Sequence, residues 1–158
     1  METHKVSVIT HYFIPKGDYE KIKDTLKKIQ DDPKNTLMHQ YADLEEAMFN
    51  LEGLYRNGQV QSFYLGADLV GILVFDVVKY WWSPRRFLYE TMVLSVDKDF
   101  HGFGRIAVRQ LEKLAQKYSC AAICSGCMVD TNVTIVCNLY KKFGFKIDTS
   151  NFIKELDE

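Results

Sequence analysis

Hydrophobic and polar residues follow one another along this chain in patterns typical of strands and helices. The run Lys5 to Ile14 is β-branched, aromatic and alternating, so it predicts a strand. Apolar residues recur at helical spacing from Tyr19 to Ile29 and again from Tyr41 to Arg56, which predicts two helices. Residues 31–35 contain two aspartates and a proline, and they separate these helices.

Three antiparallel strands are predicted in the middle of the chain. Val60–Leu65 and Leu69–Lys79 flank a short turn, an arrangement that favours a hairpin, and Phe87–Val96 follows as the third strand. Trp81 and Trp82 precede that third strand. They are expected to cover an edge of the core rather than to line a binding surface.

The second half of the chain predicts a helix, a strand, a helix and a final hairpin. An apolar face runs from Ile106 to Tyr118, Ala121–Gly126 is typical of a buried strand, and Val136–Phe143 has helical spacing. Phe145–Asp148 and Phe152–Leu156 are predicted to pair as short strands. The expected fold is therefore α/β of the mixed α+β kind, with a mostly antiparallel central sheet flanked by helices.

Length and composition indicate a single domain, residues 1–158, with a sizeable core. Hydrophobic residues make up 47% of the chain, and no low-complexity linker interrupts it. The formal charge of -1 provides no broad field for nucleic acid or an anionic membrane, so neither is expected as a partner. No apolar run has membrane-spanning length and the first residues lack signal-peptide features, so a cytoplasmic location is expected.

The cysteines do not indicate a metal or redox site. Cys120, Cys124, Cys127 and Cys137 lie in one region, and two of them form a CxxC pair. Thioredoxin-like chemistry needs an exposed first cysteine at a helix start, whereas this pair continues an apolar run. The four histidines show no paired ligand spacing. We therefore expect buried free thiols and no metal.

A glycine-bearing loop between the third middle strand and the next helix is the chief candidate for chemistry. Residues 101–104 read His-Gly-Phe-Gly, so the backbone can adopt positive φ and approach a ligand closely. The helix that follows begins with unpaired N–H groups and the positive end of its dipole, which together favour an anion such as pyrophosphate. Taken alone, a GxG sequence is more often a plain tight turn.

Two motifs, LSVDKDFHGFGRIA and LYKKFGF, give the chain a resemblance to the GNAT superfamily of acyl-CoA N-acyltransferases. The resemblance extends over essentially the whole domain and implies the fold described above. The family's loop pattern is Gln or Arg, two residues, Gly, one residue, then Gly or Ala. His101, Gly104 and Ile106 occupy the three defined positions, and only Gly104 matches strictly.

This resemblance implies a site for acetyl-CoA. Leu94 and Val96 would pair through their backbones with the pantetheine arm, and a backbone N–H near Val96 would bind the thioester oxygen. His101 could donate a hydrogen bond, and Arg105 would add positive charge near a phosphate. Backbone amides would hold the pyrophosphate, and they come from Gly102, Phe103, Gly104, Arg105, Ile106 and Ala107.

Glu90 is the candidate general base. It lies on the strand that enters the loop, where the resemblance places the base glutamate of histone-type members. Apolar neighbours would desolvate the carboxylate and raise its pKa. The alternative is a carboxylate at the sheet edge, paired with Arg85 or Arg86.

Tyr140 is the candidate general acid. It matches the tyrosine of the LYxxxGF segment, and by resemblance it would protonate the departing CoA thiolate. The alternative is a core tyrosine that packs at helical spacing with Phe143.

These residues lead to two functional hypotheses. The first is an N-acetyltransferase that moves an acetyl group from acetyl-CoA to a primary amine of a small molecule, a polyamine-like compound or a protein side chain. Acidic residues that could attract a cationic acceptor are Asp31, Asp32, Glu45 and Glu46, although acidic runs of this kind are usually solvated faces. The alternative is a catalytically inactive GNAT-fold module for CoA binding or protein interaction, for which Ile106 is the main support. Apolar surface on the terminal hairpin is a candidate site for homodimer formation.

Overall fold

The computed structural model describes residues 5–126 and 133–148, together with Lys154 and Leu156. Within these residues, one sheet contains the strands β1 (Ser7–Ile9), β2 (Val60–Leu65), β3 (Asp68–Val78), β4 (Phe87–Ser95) and β5 (Ile123–Cys124). The helices are α1 (Lys16–Asp31), α2 (Thr36–Tyr41), α3 (Leu44–Arg56), α4 (Phe103–Lys117) and α5 (Val133–Lys142).

The sheet is mostly antiparallel, as predicted. Strands β1 to β4 are antiparallel neighbours in chain order. Strand β5 alone in this sheet is parallel to its neighbour, and its two recorded pairs are Leu88 with Ile123 and Tyr89 with Cys124. The connection between β4 and β5 contains α4, the crossover that a parallel pair requires.

Both faces of the sheet are covered, which explains why β2 and β3 are apolar throughout. Alternate residues of β3 point to opposite faces, so Ile72 and Val74 pack with α1 and α3 whereas Leu73 and Phe75 pack with α4. The faces of the sheet are thus the centres of two apolar clusters. The cluster on the α1–α3 side borders the candidate site.

Two boundaries in the first half differ from the prediction. The strand expected over Lys5–Ile14 is paired only at Ser7–Ile9, because β1 lies at the sheet edge and has β2 as its one neighbour among the described strands. The helix expected over Tyr41–Arg56 begins at Leu44, where the Asp43 side chain accepts a hydrogen bond from the Glu46 amide at 3.0 Å. This N-cap ends the short helix before it and starts α3.

Predictions for the later part of the chain were less accurate. The strand expected over Ala121–Gly126 is only Ile123–Cys124, and it is half-buried because it lies at the other sheet edge. Phe145–Asp148 forms no strand, and most of the predicted partner strand Phe152–Leu156 lies outside the described residues. The hairpin proposed for dimer contact is therefore not formed by 145–148.

Other predicted core positions are more exposed than expected. Cys120 and Cys124 are half-buried free thiols, and Cys127 lies outside the described residues. Trp81 is 96% exposed and Trp82 is 60% exposed, although Trp82 stacks on Tyr80. The prediction that both tryptophans cover the core edge was wrong.

Gly71 on β3 positions the loop that precedes α4. The Phe103 ring lies against the sheet, where it meets Phe63 edge to face at 5.1 Å and occupies the space beside Gly71. A Cβ on Gly71 would clash with that ring and would lie 2.7 Å from the Leu94 carbonyl oxygen. The glycine therefore lets Phe103 anchor the start of α4.

Gly71→Ala is expected to lower the free energy of unfolding by about 1–3 kcal/mol, because the added methyl overpacks the contact with Phe103. Urea denaturation would measure the change. Gly17→Ala is the matched control, since an added Cβ there meets nothing within 4 Å. Equal stability of the two variants would contradict this account of the loop anchor.

Candidate active site

The candidate site begins where β4 and β5 separate. Their recorded pairing stops at Tyr89, whereas β4 continues to Ser95. In the ladder with β3, Val74 opposes Met92 and Phe75 opposes Glu90, so Thr91 is the extra residue of a bulge. Beyond this bulge, the edge of β4 that faces away from β3 has no strand neighbour in the described part of the chain.

The direction of the backbone groups on β4 corrects one prediction. The Val96 amide donates to the Val70 carbonyl at 3.0 Å, so it is already bonded to β3. Because successive residues of a strand alternate in direction, Leu94 also faces β3, whereas the N–H and C=O groups of Val93 and Ser95 face the open edge. The backbone positions available to a bound chain are therefore not Leu94 and Val96 but the residues beside them.

A cavity of about 530 Å³ adjoins the open edge. Its walls come mainly from residues 90–94 of β4, from helix α5, and from the helices α1, α2 and α3, and Val74, Gly104 and Gly126 complete the lining. Glu90 and Tyr140 both line it. The cavity therefore brings together the two predicted catalytic side chains with the unpaired strand edge.

In the structure, fewer backbone amides around the glycine loop are available to a phosphate than the sequence predicted. Gly102 has φ 89° at the N-cap of α4, and no side chain caps this helix. The amides of Arg105 and Ile106 donate to the Gly102 carbonyl at 3.1 and 3.4 Å. Helical geometry leaves the first amides, those of Phe103 and Gly104, directed out of the helix start toward an anion. The predicted contributions of the Arg105, Ile106 and Ala107 amides are not supported.

The Ile106 side chain does not line the cavity. It packs, half-buried, against the apolar cluster beneath α4. Ala107 is buried in the same helix, while the His101 and Arg105 side chains are exposed. A Cβ on Gly104 would lie 2.8 Å from Leu139 Cδ2, so glycine at this position permits close packing of α4 against α5.

Glu90 is buried and has two hydroxyl partners. Its side chain is 6% exposed, and the Ser125 hydroxyl donates to Oε2 at 2.7 Å. The Tyr140 hydroxyl donates to the same oxygen. The alternative pairing with Arg85 or Arg86 is wrong, because both arginines are exposed and neither forms an ion pair with a described residue.

Burial raises the pKa of the Glu90 carboxyl above its ordinary value of 4.5. The hydrogen bonds from Ser125 and Tyr140 act in the opposite direction, because they stabilise the charged form. Burial is the larger effect. The carboxyl therefore keeps its proton to a higher pH than an exposed glutamate does, which is a property that suits a general base.

The fold holds Tyr140 at the cavity by packing its ring. Tyr140 lies on α5, is half-buried, and meets the Phe145 ring edge to face at 4.9 Å. Its hydroxyl reaches Glu90 on β4, so the two sequence-predicted catalytic residues are in direct contact. Ser125, which follows β5, is the third member of this group. Sequence reasoning missed it, and the only signal was a hydroxyl at the end of the strand parallel to β4.

The part of the chain that the structure describes has neither a metal-binding cluster nor a membrane-spanning helix. No group of three His, Cys, Asp or Glu side chains there could hold a metal ion. None of the helices found there combines the length and apolar character required to span a bilayer.

Comparison with known proteins identifies the fold. No protein-family model matches the sequence, and no curated protein sequence does. Solved structures match nearly the whole chain. A possible acetyltransferase from Clostridium difficile 630 is 11% identical, with a TM-score of 0.69 over 97% of this chain and 99% of that one. A ribosomal-protein-alanine N-acetyltransferase from Brucella melitensis biovar Abortus 2308 is 14% identical, with a TM-score of 0.64 over 97% and 99%.

The chain has a GNAT-type fold. At these identities the similarity establishes the architecture and not the reaction. A transcriptional regulator from Bacillus halodurans C-125 also matches, with a TM-score of 0.68 and 16% identity over 96% of this chain and 100% of that one. Any function of this GNAT fold must therefore be argued from its site.

Proposed function

We propose that this protein is an N-acetyltransferase that moves an acetyl group from acetyl-CoA directly to a primary amine. The observation that carries the proposal is the buried Glu90 carboxylate, hydrogen-bonded by Tyr140 at the point where β4 loses its strand neighbour. A buried carboxyl with a raised pKa beside a hydroxyl donor provides the base and the acid that acyl transfer requires. The GNAT fold adds support.

The described residues fit acetyl-CoA. The backbone groups of Val93 and Ser95 are available to the two amides of an extended pantetheine arm, as in strand addition. The uncapped start of α4 presents the Phe103 and Gly104 amides to the pyrophosphate, and the Arg105 side chain lies nearby in solvent. Ile106 does not obstruct this region because its side chain packs beneath α4. When bound, acetyl-CoA would supply the acetyl group as an activated thioester.

Glu90 would take the proton that the amine loses as its nitrogen bonds to the acetyl carbon. Oε2 already accepts from Ser125 and Tyr140, and no described residue donates to Oε1. Oε1 is therefore the oxygen suited to receive the proton. The raised pKa makes the carboxylate a stronger base than an exposed glutamate.

Tyr140 would give its hydroxyl proton to the sulfur when the carbon–sulfur bond breaks. The resulting phenolate would recover a proton from solvent, and Glu90 would release to solvent the proton that Oε1 took from the amine. Over the whole reaction one C–N bond forms, one C–S bond breaks, and one proton passes from nitrogen to sulfur. The Glu90–Tyr140 pair returns to its starting state.

Calorimetric titration with acetyl-CoA and with CoA, followed by mass spectrometry of amine mixtures, tests the proposal. We expect a micromolar Kd, about -8 kcal/mol, and an acetylated amine. Binding without transfer to any amine would favour the inactive module. No measurable heat at millimolar ligand would reject both the cofactor site and the enzyme.

Ser95→Pro tests the backbone register at the same site. It removes an N–H that faces the open edge, so acetyl-CoA binding should weaken about 3- to 10-fold while the fold persists. Val96→Pro is the contrasting variant, because it removes an N–H that bonds to Val70 and should mainly destabilise the protein. If instead Val96→Pro weakens acetyl-CoA binding and Ser95→Pro mainly destabilises the protein, the backbone contacts predicted from the sequence, at Leu94 and Val96, are correct.

A further inference from the structure

The cavity wall opposite β4 is almost entirely apolar. It is formed by helices α1, α2 and α3, with Asn50 as the polar residue that these helices contribute. Asn50 is exposed, and its amide donates to Glu46. The apolar residues of this surface, called the helical wall below, are Leu26, Ile29, Met38, Ala47, Leu51 and Leu54.

The acidic residues of the same helices do not reach the cavity. Asp31, Asp32, Glu45 and Glu46 are absent from its lining, so of the two interpretations of these residues the structure favours a solvated face. Asp31 and Glu45 instead form surface ion pairs with lysines of α1, each at 2.7 Å. Glu90 is the one carboxylate among the described residues that line the cavity.

We infer that the acceptor is a monoamine with an apolar body, such as an arylalkylamine, whose nitrogen lies at Glu90 and whose body contacts the helical wall. This inference rests on the proposed function and specifies the substrate class of that site. A polyamine would bring a second ammonium group to a wall without a carboxylate, where desolvation of the charge is unfavourable. An apolar body instead binds favourably there, because its own surface and the surface of the helical wall are both removed from water.

The charge at Glu90 determines which end of the acceptor lies there. A carboxylate attracts the ammonium form of the amine. Once that form has released one proton to solvent, Glu90 accepts the proton that the neutral amine loses as the C–N bond forms, so the nitrogen belongs beside β4. The rest of the molecule then extends toward α1–α3, because β4 and α5 carry Glu90 and Tyr140, and Gly104 at the start of α4 lines the side assigned to the pyrophosphate. The occupant of the wall is therefore part of the acceptor and not part of the acyl donor.

Calorimetry with the CoA-bound protein separates this inference from the proposed function, because it measures binding without turnover. The probes are 4-phenylbutylamine and 1,4-diaminobutane. We expect 4-phenylbutylamine to bind at least about tenfold more tightly, since apolar pocket contacts are worth that much discrimination. Equal binding, or tighter binding of the diamine, would overturn the inference even if acetyl transfer occurs.

Ala47→Leu tests the wall itself. The larger side chain should weaken 4-phenylbutylamine binding about tenfold, because it fills space that the ligand's body occupies. Gly53→Leu is the matched control on α3, since an added Cβ there meets nothing within 4 Å. If Ala47→Leu weakens octanoyl-CoA relative to acetyl-CoA and leaves amine binding unchanged, the wall holds an acyl chain and the inference is wrong. The comparison of the two amines uses the wild-type protein, so it does not depend on whether a variant folds.

Discussion

Glu90→Gln is expected to lower kcat by roughly 10²- to 10⁴-fold, the usual contribution of a general base, with acetyl-CoA affinity unchanged. Glutamine is close to glutamate in size, and its carbonyl can still accept from Ser125 and Tyr140, so the site should keep its shape. Steady-state kinetics and calorimetry would measure the two effects. Glu112→Gln, at an exposed position on α4, is the control. Turnover within about threefold of wild type would remove Glu90 from the role of base.

The same residue makes activity and stability depend on pH in opposite ways. The base works only when deprotonated. The kcat/KM of the wild type should therefore fall as pH decreases, with a midpoint above pH 4.5, the ordinary pKa of a glutamate carboxyl. At pH values between 4.5 and the raised pKa, the Glu90 carboxyl is more protonated in the folded protein than in the unfolded chain. The contribution of Glu90 to the free energy of unfolding is therefore present below pH 4.5 and lost as pH rises through the folded pKa.

Glu90→Gln cannot lose a proton, so its stability relative to wild type should improve from pH 4 to pH 7. Urea denaturation at both values would measure the difference, again with Glu112→Gln as control. A relative stability that stays constant would mean that burial does not raise the pKa of Glu90 as the structure indicates.

Local patterns were sufficient to predict the central elements but not the register of β4. The strands β2 to β4 and helix α4 were predicted within one or two residues, except at the start of α4, because their apolar periodicity is strong. The free edge at Val93 and Ser95 depends on a single extra residue, Thr91. A shift of one residue exchanges the backbone groups that face β3 with those that face the cavity. No pattern in the sequence predicts such a shift.

Of the other features near the site, one had a clear signal in the sequence and two had almost none. The start of α3 had a signal, because Asp43 followed three residues later by Glu46 resembles a capping box. Ser125 had almost none, since its role arises from a long-range contact with Glu90. The apolar character of the helical wall was also hidden, because helical spacing predicts one buried face and does not say whether that face meets a core or a cavity.

Tyr140→Phe is expected to lower the plateau value of kcat by about 10²- to 10³-fold, because the hydroxyl that would protonate the leaving sulfur is gone. The phenylalanine ring can keep the edge-to-face contact with Phe145, so the fold of α5 should persist. The substitution also removes a hydrogen bond that lowers the pKa of Glu90. The acid limb of kcat/KM should therefore move to higher pH at the same time as the plateau falls.

Ser125→Ala distinguishes the two roles assigned to Tyr140. Ser125 donates to the same Glu90 oxygen and likewise lowers the pKa of Glu90, but it has no proposed proton to give to sulfur. Its alanine variant should shift the acid limb upward and leave the plateau kcat within about threefold of wild type. If Tyr140→Phe behaves in the same way, Tyr140 only positions and stabilises the Glu90 carboxylate, and the sulfur receives its proton from another source. A plateau loss confined to Tyr140→Phe would identify its hydroxyl as the acid.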